Sequence, residues 1–174
     1  MGYRVGEILV SEAELGVRVR ELAADISRDY ADKDPLVIGV LKGAIFFIAD
    51  LVRALSIDCE IDFMAVSSYG SQTTSSGVVR ILKDLDVTIV GRHVLLIEDI
   101  IDSGLTLSYL HRNLASRGPA SLEICALAAK PNAARFEPAP KYVGVQLPDE
   151  FVIGYGLDVD QRFRGLPYIA VLDQ

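Results

Sequence analysis

One stretch limits the fold more than any other. Val94-Leu95-Leu96-Ile97 is an unbroken apolar run, Glu98-Asp99-Ile100-Ile101-Asp102 follows it, and Ser103-Gly104-Leu105-Thr106 leads into a segment of helical period. Four consecutive apolar residues make a strand buried on both faces, which is the habit of parallel sheets covered by helices. In open α/β sheets ligands bind beyond the C-terminal ends of the strands. Charged and small residues are gathered there. A glycine flanked by hydroxyls at the start of a helix exposes backbone N–H groups, a ready site for phosphate. Glu98 and Asp99 can hold ribose hydroxyls, or a metal that holds them, and Asp102 stands between that pair and the phosphate turn as an acid or base. Acids at a strand end are often merely solvated, and Ser-Gly before a helix is often only a cap. It is the combination, in this order, that points to a ribose-phosphate cradle. Neither Gly-x-x-x-x-Gly-Lys-Ser/Thr nor Gly-x-Gly-x-x-Gly occurs, so the two common nucleotide loops are unsupported.

The rest of the chain supplies the partners such a strand needs. Ser11-Glu12-Ala13-Glu14 reads as a capping box. Leu15, Val19, Leu22, Ile26 and Tyr30 recur at helical steps, so an amphipathic helix spans about Ser11 to Tyr30. Leu36 to Leu41 is a buried strand, Ala44 to Leu55 a mostly buried helix, and Ile57 to Val66 a second strand. Ser67 to Gly77 is almost entirely Ser, Thr, Gly, Gln and Tyr, too polar to bury a core, and is expected to be a mobile loop. Val78 to Leu82 is its returning arm. Leu105 to Arg117 is helical, stopped by Gly118-Pro119. Strands follow at Leu122 to Ala129, Tyr142 to Leu147, Phe151 to Leu157 and Tyr168 to Leu172. Alternating strand and helix predicts an α/β parallel-sheet core flanked by helices. The β-rich C-terminal part predicts a small hood.

Length suits one domain over residues 1–174. The net charge of −7 argues against a general nucleic-acid binder, which is usually basic. Phosphate can still be held locally by backbone donors, a few cations and a metal. No apolar run reaches the length of a membrane span, and Met1 to Gly6 lacks a leader's apolar centre, which predicts a cytoplasmic protein. Cys59 and Cys125 sit in apolar strand-like runs and read as buried free thiols.

The segment from Glu98 to Thr106 resembles the phosphoribosyl-pyrophosphate motif of the type I phosphoribosyltransferases, in the form found in their hypoxanthine-guanine branch. Leu41-Lys42-Gly43 is similar to that family's pyrophosphate loop, in which an unusual cis peptide precedes the lysine. Ser67-Ser68-Tyr69-Gly70 resembles the start of its catalytic lid, and Val79 to Asp84 continues the match. Lys130-Pro131 resembles the site of its purine-reading lysine, Asp149 to Asp158 its base-stacking and metal segment, and Arg162-Phe163-Arg164 follows at the expected spacing. The likeness runs from the first helix to the last strand.

The resemblance implies a type I phosphoribosyltransferase fold, with a hood built from terminal segments and a lid over about residues 67–82. It implies magnesium-dependent transfer of 5-phosphoribose from 5-phosphoribosyl 1-pyrophosphate to hypoxanthine or guanine, giving IMP or GMP and pyrophosphate. By analogy Asp102 is the catalytic acid or base. Glu98 and Asp99 take the ribose hydroxyls, and Asp102, Ser103, Gly104, Leu105 and Thr106 wrap the 5-phosphate. Lys42, Gly43 and Arg164 meet the pyrophosphate. Lys130, Phe151 and Val152 meet the purine, with Ser68 and Tyr69 on the lid. Glu98, Asp99 and Asp158 are the metal-side residues. A lysine donor favours a purine with an oxygen on carbon six over adenine. The family also implies a homodimer or homotetramer, with no nucleic-acid or membrane partner. One position departs from the pattern: an arginine is common four residues after the purine lysine, whereas position 134 is Ala and Arg135 comes one later. Two rivals share the motif: the same fold with xanthine, adenine or a pyrimidine as acceptor, and a regulator that binds nucleic acid. His93 and His111 have no catalytic context.

Overall fold

A computed structural model describes residues 2–68, 79–135 and 137–173. Its centre is a six-stranded sheet. In chain order the strands are β2 (Leu36–Leu41), β3 (Glu60–Ser68), β4 (Val79–Lys83), β5 (His93–Ile101), β6 (Ser121–Ala129) and β7 (Tyr142–Gln146). Their order across the sheet is β4-β3-β2-β5-β6-β7, and every pairing is parallel except that of β4 with β3. The apolar run at Val94 therefore occupies the interior of the sheet, where both faces need covering.

The strand period of two decides what covers each face. Val37, Leu95, Ile97, Cys125 and Leu127 pack with α1 (Glu12–Asp29) and α2 (Ile45–Ala54). Their neighbours Leu36, Ile38, Val94, Leu96, Ile124 and Ala126 pack on the other face with α3 (Leu105–Ala115). Each fully buried side chain of this size contributes about 1.5–3 kcal/mol relative to an exposed one. Helix α1 starts at the predicted capping box. The Ser11 N–H donates to Glu14 Oε2 at 2.8 Å, and the Glu14 N–H donates to Ser11 Oγ at 3.3 Å.

A second sheet of three strands forms the hood, in the order β1-β9-β8, from β1 (Arg4–Val10), β8 (Val152–Ile153) and β9 (Ile169–Asp173). Both pairings are antiparallel.

Four expectations are corrected. The N-terminal strand β1 is an addition: its residues are mostly exposed, and its register with β9 shifts twice, so no clean alternation marks it. The strand expected over Phe151 to Leu157 shrinks to two residues, because Gly154, Tyr155 and Gly156 all take positive φ, at 98°, 49° and 101°. The strand expected to end at Ile97 runs on to Ile101, because β6 continues beside it and pairs Ile100 with Ala128 and Ile101 with Ala129. Glu98 and Asp99 therefore sit on the strand rather than after it. Cys125 is buried as expected, but Cys59 is only half-buried, since it precedes β3 at the sheet's margin. No helix among the described residues is long and apolar enough to cross a membrane.

Candidate active site

The C-terminal ends of β2, β3 and β5 open into a cleft of about 550 Å³. Its core wall is Gly43 and the unbroken run Glu98 to Leu107, with Val66 and Ser67 at the margin; its hood wall holds Asp158 and Arg164. A groove of about 750 Å³ between α1, α2 and residues 165–167 contains none of the predicted site residues.

The core wall is made by backbone geometry. After β5 the chain turns through Asp102 and Ser103 to Gly104, whose φ of 74° starts α3. Gly104 has no side chain to cap the helix, so the first-turn N–H groups stay directed outward, and the helix N-terminus carries partial positive charge. Beside it β2 ends in a cis peptide between Leu41 and Lys42, which matches the sequence-based expectation for this loop. Gly43 then packs so closely that a Cβ there would run into the Asp99 carboxylate. Gly156 approaches from the hood, where a Cβ would collide with the Gly43 carbonyl oxygen. Glycine at 43 and 156 is thus what lets the two walls meet.

Charge is unevenly distributed across the cleft. Glu98 and Asp99 stand side by side on the floor. Poor hydration raises the Glu98 carboxyl well above the ordinary range, and the neighbouring Asp99 raises it further. Poor hydration also raises Asp99, against the lowering effects of a hydrogen bond from the Glu98 carboxyl, of the Ile100 N–H, which donates to Asp99 Oδ1 at 2.7 Å, and of Arg164. Two crowded carboxylates held this way suit hydroxyl donors or a hard cation, either of which relieves their repulsion. Among the described residues no three His, Cys, Asp or Glu side chains are grouped closely enough to chelate a metal by themselves. Such an ion would therefore need oxygens from a substrate or water.

Asp102 is exposed. Lys130, nearly buried, donates from Nζ to Asp102 Oδ2 at 3.1 Å. The Lys130 N–H donates to the Ile101 carbonyl at 3.0 Å, which fixes the lysine's stem next to the end of β5. On the hood wall Arg164 Nη1 donates to the Gly156 carbonyl at 2.6 Å, and Arg164 Nη2 pairs with Asp158 Oδ1 at 2.8 Å. Lys42 Nζ donates to Gln161 Oε1 at 3.0 Å, and Arg164 Nη2 donates to the same oxygen at 3.2 Å.

The structure thus brings together Glu98, Asp99, Asp102, Ser103, Gly104, Leu105, Thr106, Gly43, Asp158 and Arg164 in one lining, with Lys130 bonded to Asp102 and Lys42 bonded to Gln161, whose amide oxygen also accepts from Arg164. Phe151 and Val152 stand outside that lining. Phe151 is exposed, whereas Val152 is buried and pairs with Val171. Ser68 ends β3 opposite Val79, and Tyr69 and the rest of the predicted lid to Gly77 lie outside the described residues. His93 bonds Ser121 at 2.8 Å at the start of β5, the end of the sheet away from the cleft. Gln161 was not singled out from the sequence. An amide between Asp158 and Arg164 carries no signal until the turn that aims it is known.

The sequence profile of the phosphoribosyl transferase domain matches residues 7–160. The hypoxanthine-guanine phosphoribosyltransferase of Mycobacterium tuberculosis is 51% identical, over 97% of this chain and 87% of its own length. The protein of the same name from Bacillus subtilis is 49% identical, over 99% of this chain and 96% of its own. A crystal structure of a hypoxanthine phosphoribosyltransferase from Staphylococcus aureus superposes with a TM-score of 0.92 at 43% identity, covering 97% of this chain and 92% of that one.

Proposed function

The chain belongs to the phosphoribosyltransferase family, and from that premise we propose that it transfers 5-phosphoribose from 5-phosphoribosyl 1-pyrophosphate to hypoxanthine or guanine. The products are IMP or GMP and pyrophosphate, the chemistry of purine salvage. The observation that carries this reading is the unbroken lining of one cleft by Glu98 to Thr106, with Lys130 bonded to Asp102 at one side and Arg164 facing it from the hood.

The first-turn N–H groups after Gly104, with the Ser103 and Thr106 hydroxyls, hold the 5-phosphate. The ribose hydroxyls donate to Glu98 and Asp99, whose raised carboxyls gain from such donors. Lys42, the Gly43 backbone and Arg164 receive the pyrophosphate. Glu98, Asp99 and Asp158 would hold magnesium, and its charge would ease departure of the pyrophosphate. The bond from the anomeric carbon to pyrophosphate breaks with oxocarbenium character, as in glycoside chemistry. The purine nitrogen forms the new bond to that carbon, and Asp102 takes the proton that the imidazole ring loses. Asp102 accepts a hydrogen bond from Lys130. An incoming purine with an oxygen on carbon six gives Lys130 a different acceptor, which frees the carboxylate for the proton. Adenine offers an amino group at that point and leaves the lysine bound to Asp102. Phe151, exposed beside the buried Val152, provides the stacking face, and the Val152 backbone meets the purine edge. The lid over about residues 67–82, with Ser68 and Tyr69, excludes water from the reactive ribosyl centre.

The test is a panel of hypoxanthine, guanine, xanthine and adenine with the ribosyl donor and magnesium, followed by product absorbance. Turnover is expected with hypoxanthine and guanine. Adenine used as well as hypoxanthine would overturn the role of Lys130. We also take residues 1–174 to be one domain and the protein to be a cytoplasmic homodimer or homotetramer. A monomer by size-exclusion chromatography with light scattering would overturn the assembly.

A further inference from the structure

We propose that Gln161 is a positioning residue for the pyrophosphate end of the site, gathering Lys42 and Arg164 from opposite walls onto one amide oxygen. This rests on the transferase reading above and extends it to a residue that reading does not use.

Lys42 and Arg164 are both cations, and they come from parts of the chain far apart in sequence. Left to themselves they repel, and Lys42, which is exposed, has a flexible stem that favours solvent. Gln161 Oε1 accepts from both, at 3.0 Å from Lys42 Nζ and 3.2 Å from Arg164 Nη2. Arg164 is already tied to Gly156 and Asp158, so the side chain that gains order is mainly Lys42. Ordering a long side chain before the ligand arrives removes that cost from binding. The acceptor is neutral. It uses only one of the three Lys42 N–H donors, so a pyrophosphate oxygen takes the remaining donors in charge-assisted bonds while the amide keeps the side chain in place.

The backbone aims the amide. Asp160, Gln161 and Phe163 take φ of 50°, 63° and 70°. The Gln161 N–H donates to Asp158 Oδ2 at 2.8 Å, and the Arg162 N–H donates to the Val159 carbonyl at 2.9 Å. The turn is thus held by main-chain groups and by Asp158. The Gln161 side chain can be altered without removing a bond that holds the turn.

Two variants test this. Gln161→Met keeps the length and loses the acceptor. Gln161→Gly suits the left-handed φ and also loses it. In each, KM for pyrophosphate in the reverse reaction from IMP, and KM for the ribosyl donor in the forward one, should rise about three- to tenfold, the worth of one such hydrogen bond. KM for hypoxanthine and kcat should stay within about twofold, and Tm should not fall. In a Lys42→Met background the further change at 161 should have less than half its effect on pyrophosphate KM, since the main donor is gone. An unchanged pyrophosphate KM in both variants, an equal rise in hypoxanthine KM, or full additivity with Lys42→Met would each overturn the role. Wild-type turnover of hypoxanthine with the donor is the control. Its absence would overturn the transferase reading itself, whereas normal wild-type turnover with unaffected variants overturns only the role of Gln161.

Discussion

The two walls of the cleft are built on different principles. The core wall hangs on regular structure: β5 runs through Glu98 and Asp99 to Ile101, and α3 begins at Leu105. Its groups are fixed by a central strand, a helix start and main-chain hydrogen bonds. The hood wall follows a two-residue strand with turns, and its groups are fixed by one another, Arg164 by Gly156 and Asp158 and Asp158 by the Gln161 N–H, while Gln161 also reaches across to Lys42 beside Gly43. The first is preorganised by the fold, the second by mutual pairing of its side chains. The difference teaches a division of labour. Changes in the core wall should reach the chemical step, and changes in the hood wall should reach donor and pyrophosphate binding.

The strongest test of that division is Asp102→Asn. The side chain keeps its size and its contact with Lys130 but cannot take a proton at neutral pH. Turnover should fall about 10²–10⁴-fold, the usual worth of a positioned acid or base. Donor affinity measured by calorimetry should stay within about threefold. Near-normal turnover would remove Asp102 from the chemistry. Gly43→Ala comes next, because it sits where the walls touch. A Cβ there meets the Asp99 carboxylate on one side of a loop whose carbonyl is itself pressed by Gly156. A displacement of about 1 Å at a reacting site costs about 10²-fold, and overpacking costs about 1–3 kcal/mol of stability. Both kcat and donor KM should worsen, and a loss in only one would show the walls to be less closely joined than the geometry implies.

The asymmetry between the walls also explains what could be read from the sequence. The core wall was legible because each part has a one-dimensional mark: four apolar residues for a buried strand, a glycine for the left-handed helix start, adjacent acids at the strand's end. The hood wall was legible only in its charged residues, through resemblance. Its shape depends on Tyr155, Asp160, Gln161 and Phe163 holding positive φ, and none of these is a glycine that would announce it. Strand β1 was missed for a similar reason. Its hydrogen bonds come from β9, more than 150 residues away, and its register shifts erase the alternation that would have marked it. Pairing between distant segments leaves no local trace. The lysine pairing with Asp102 belongs to the same class, since Lys130 and Asp102 meet only because β5 and β6 are neighbours.

Arg164→Lys probes the hood wall alone. A lysine keeps the charge but has no fork to reach Gly156, Asp158 and Gln161 together. The expected result is a rise of about tenfold in KM for donor and pyrophosphate, with kcat changed by less than about threefold. A kcat loss as deep as that of Asp102→Asn would erase the division between the walls.

The smallest effect should come from a charge pair that belongs to neither wall. Arg117 Nη1 and Nη2 donate to Asp84 Oδ1 and Oδ2 at 2.8 and 3.0 Å, which braces the end of α3 against the end of β4. The guanidinium lowers the Asp84 carboxyl below its ordinary value, and the Leu85 N–H helps. Asp84 is about half exposed, with 52% of its side-chain surface open to solvent, so screening keeps the pair's worth to no more than about 1 kcal/mol. A depressed carboxylate stabilises the fold above its unfolded value, about pH 3.9, and that contribution is lost as pH falls through the folded value. Urea unfolding of the wild type and Asp84→Asn should therefore differ by a constant amount from about pH 7 to 5, and the gap should close below about pH 4. Purine turnover at pH 7 should match the wild type within about twofold. A gap that widens on acidification would reverse the sign assigned to the pair. A loss of turnover would mean that the brace, through α3, tunes the core wall after all.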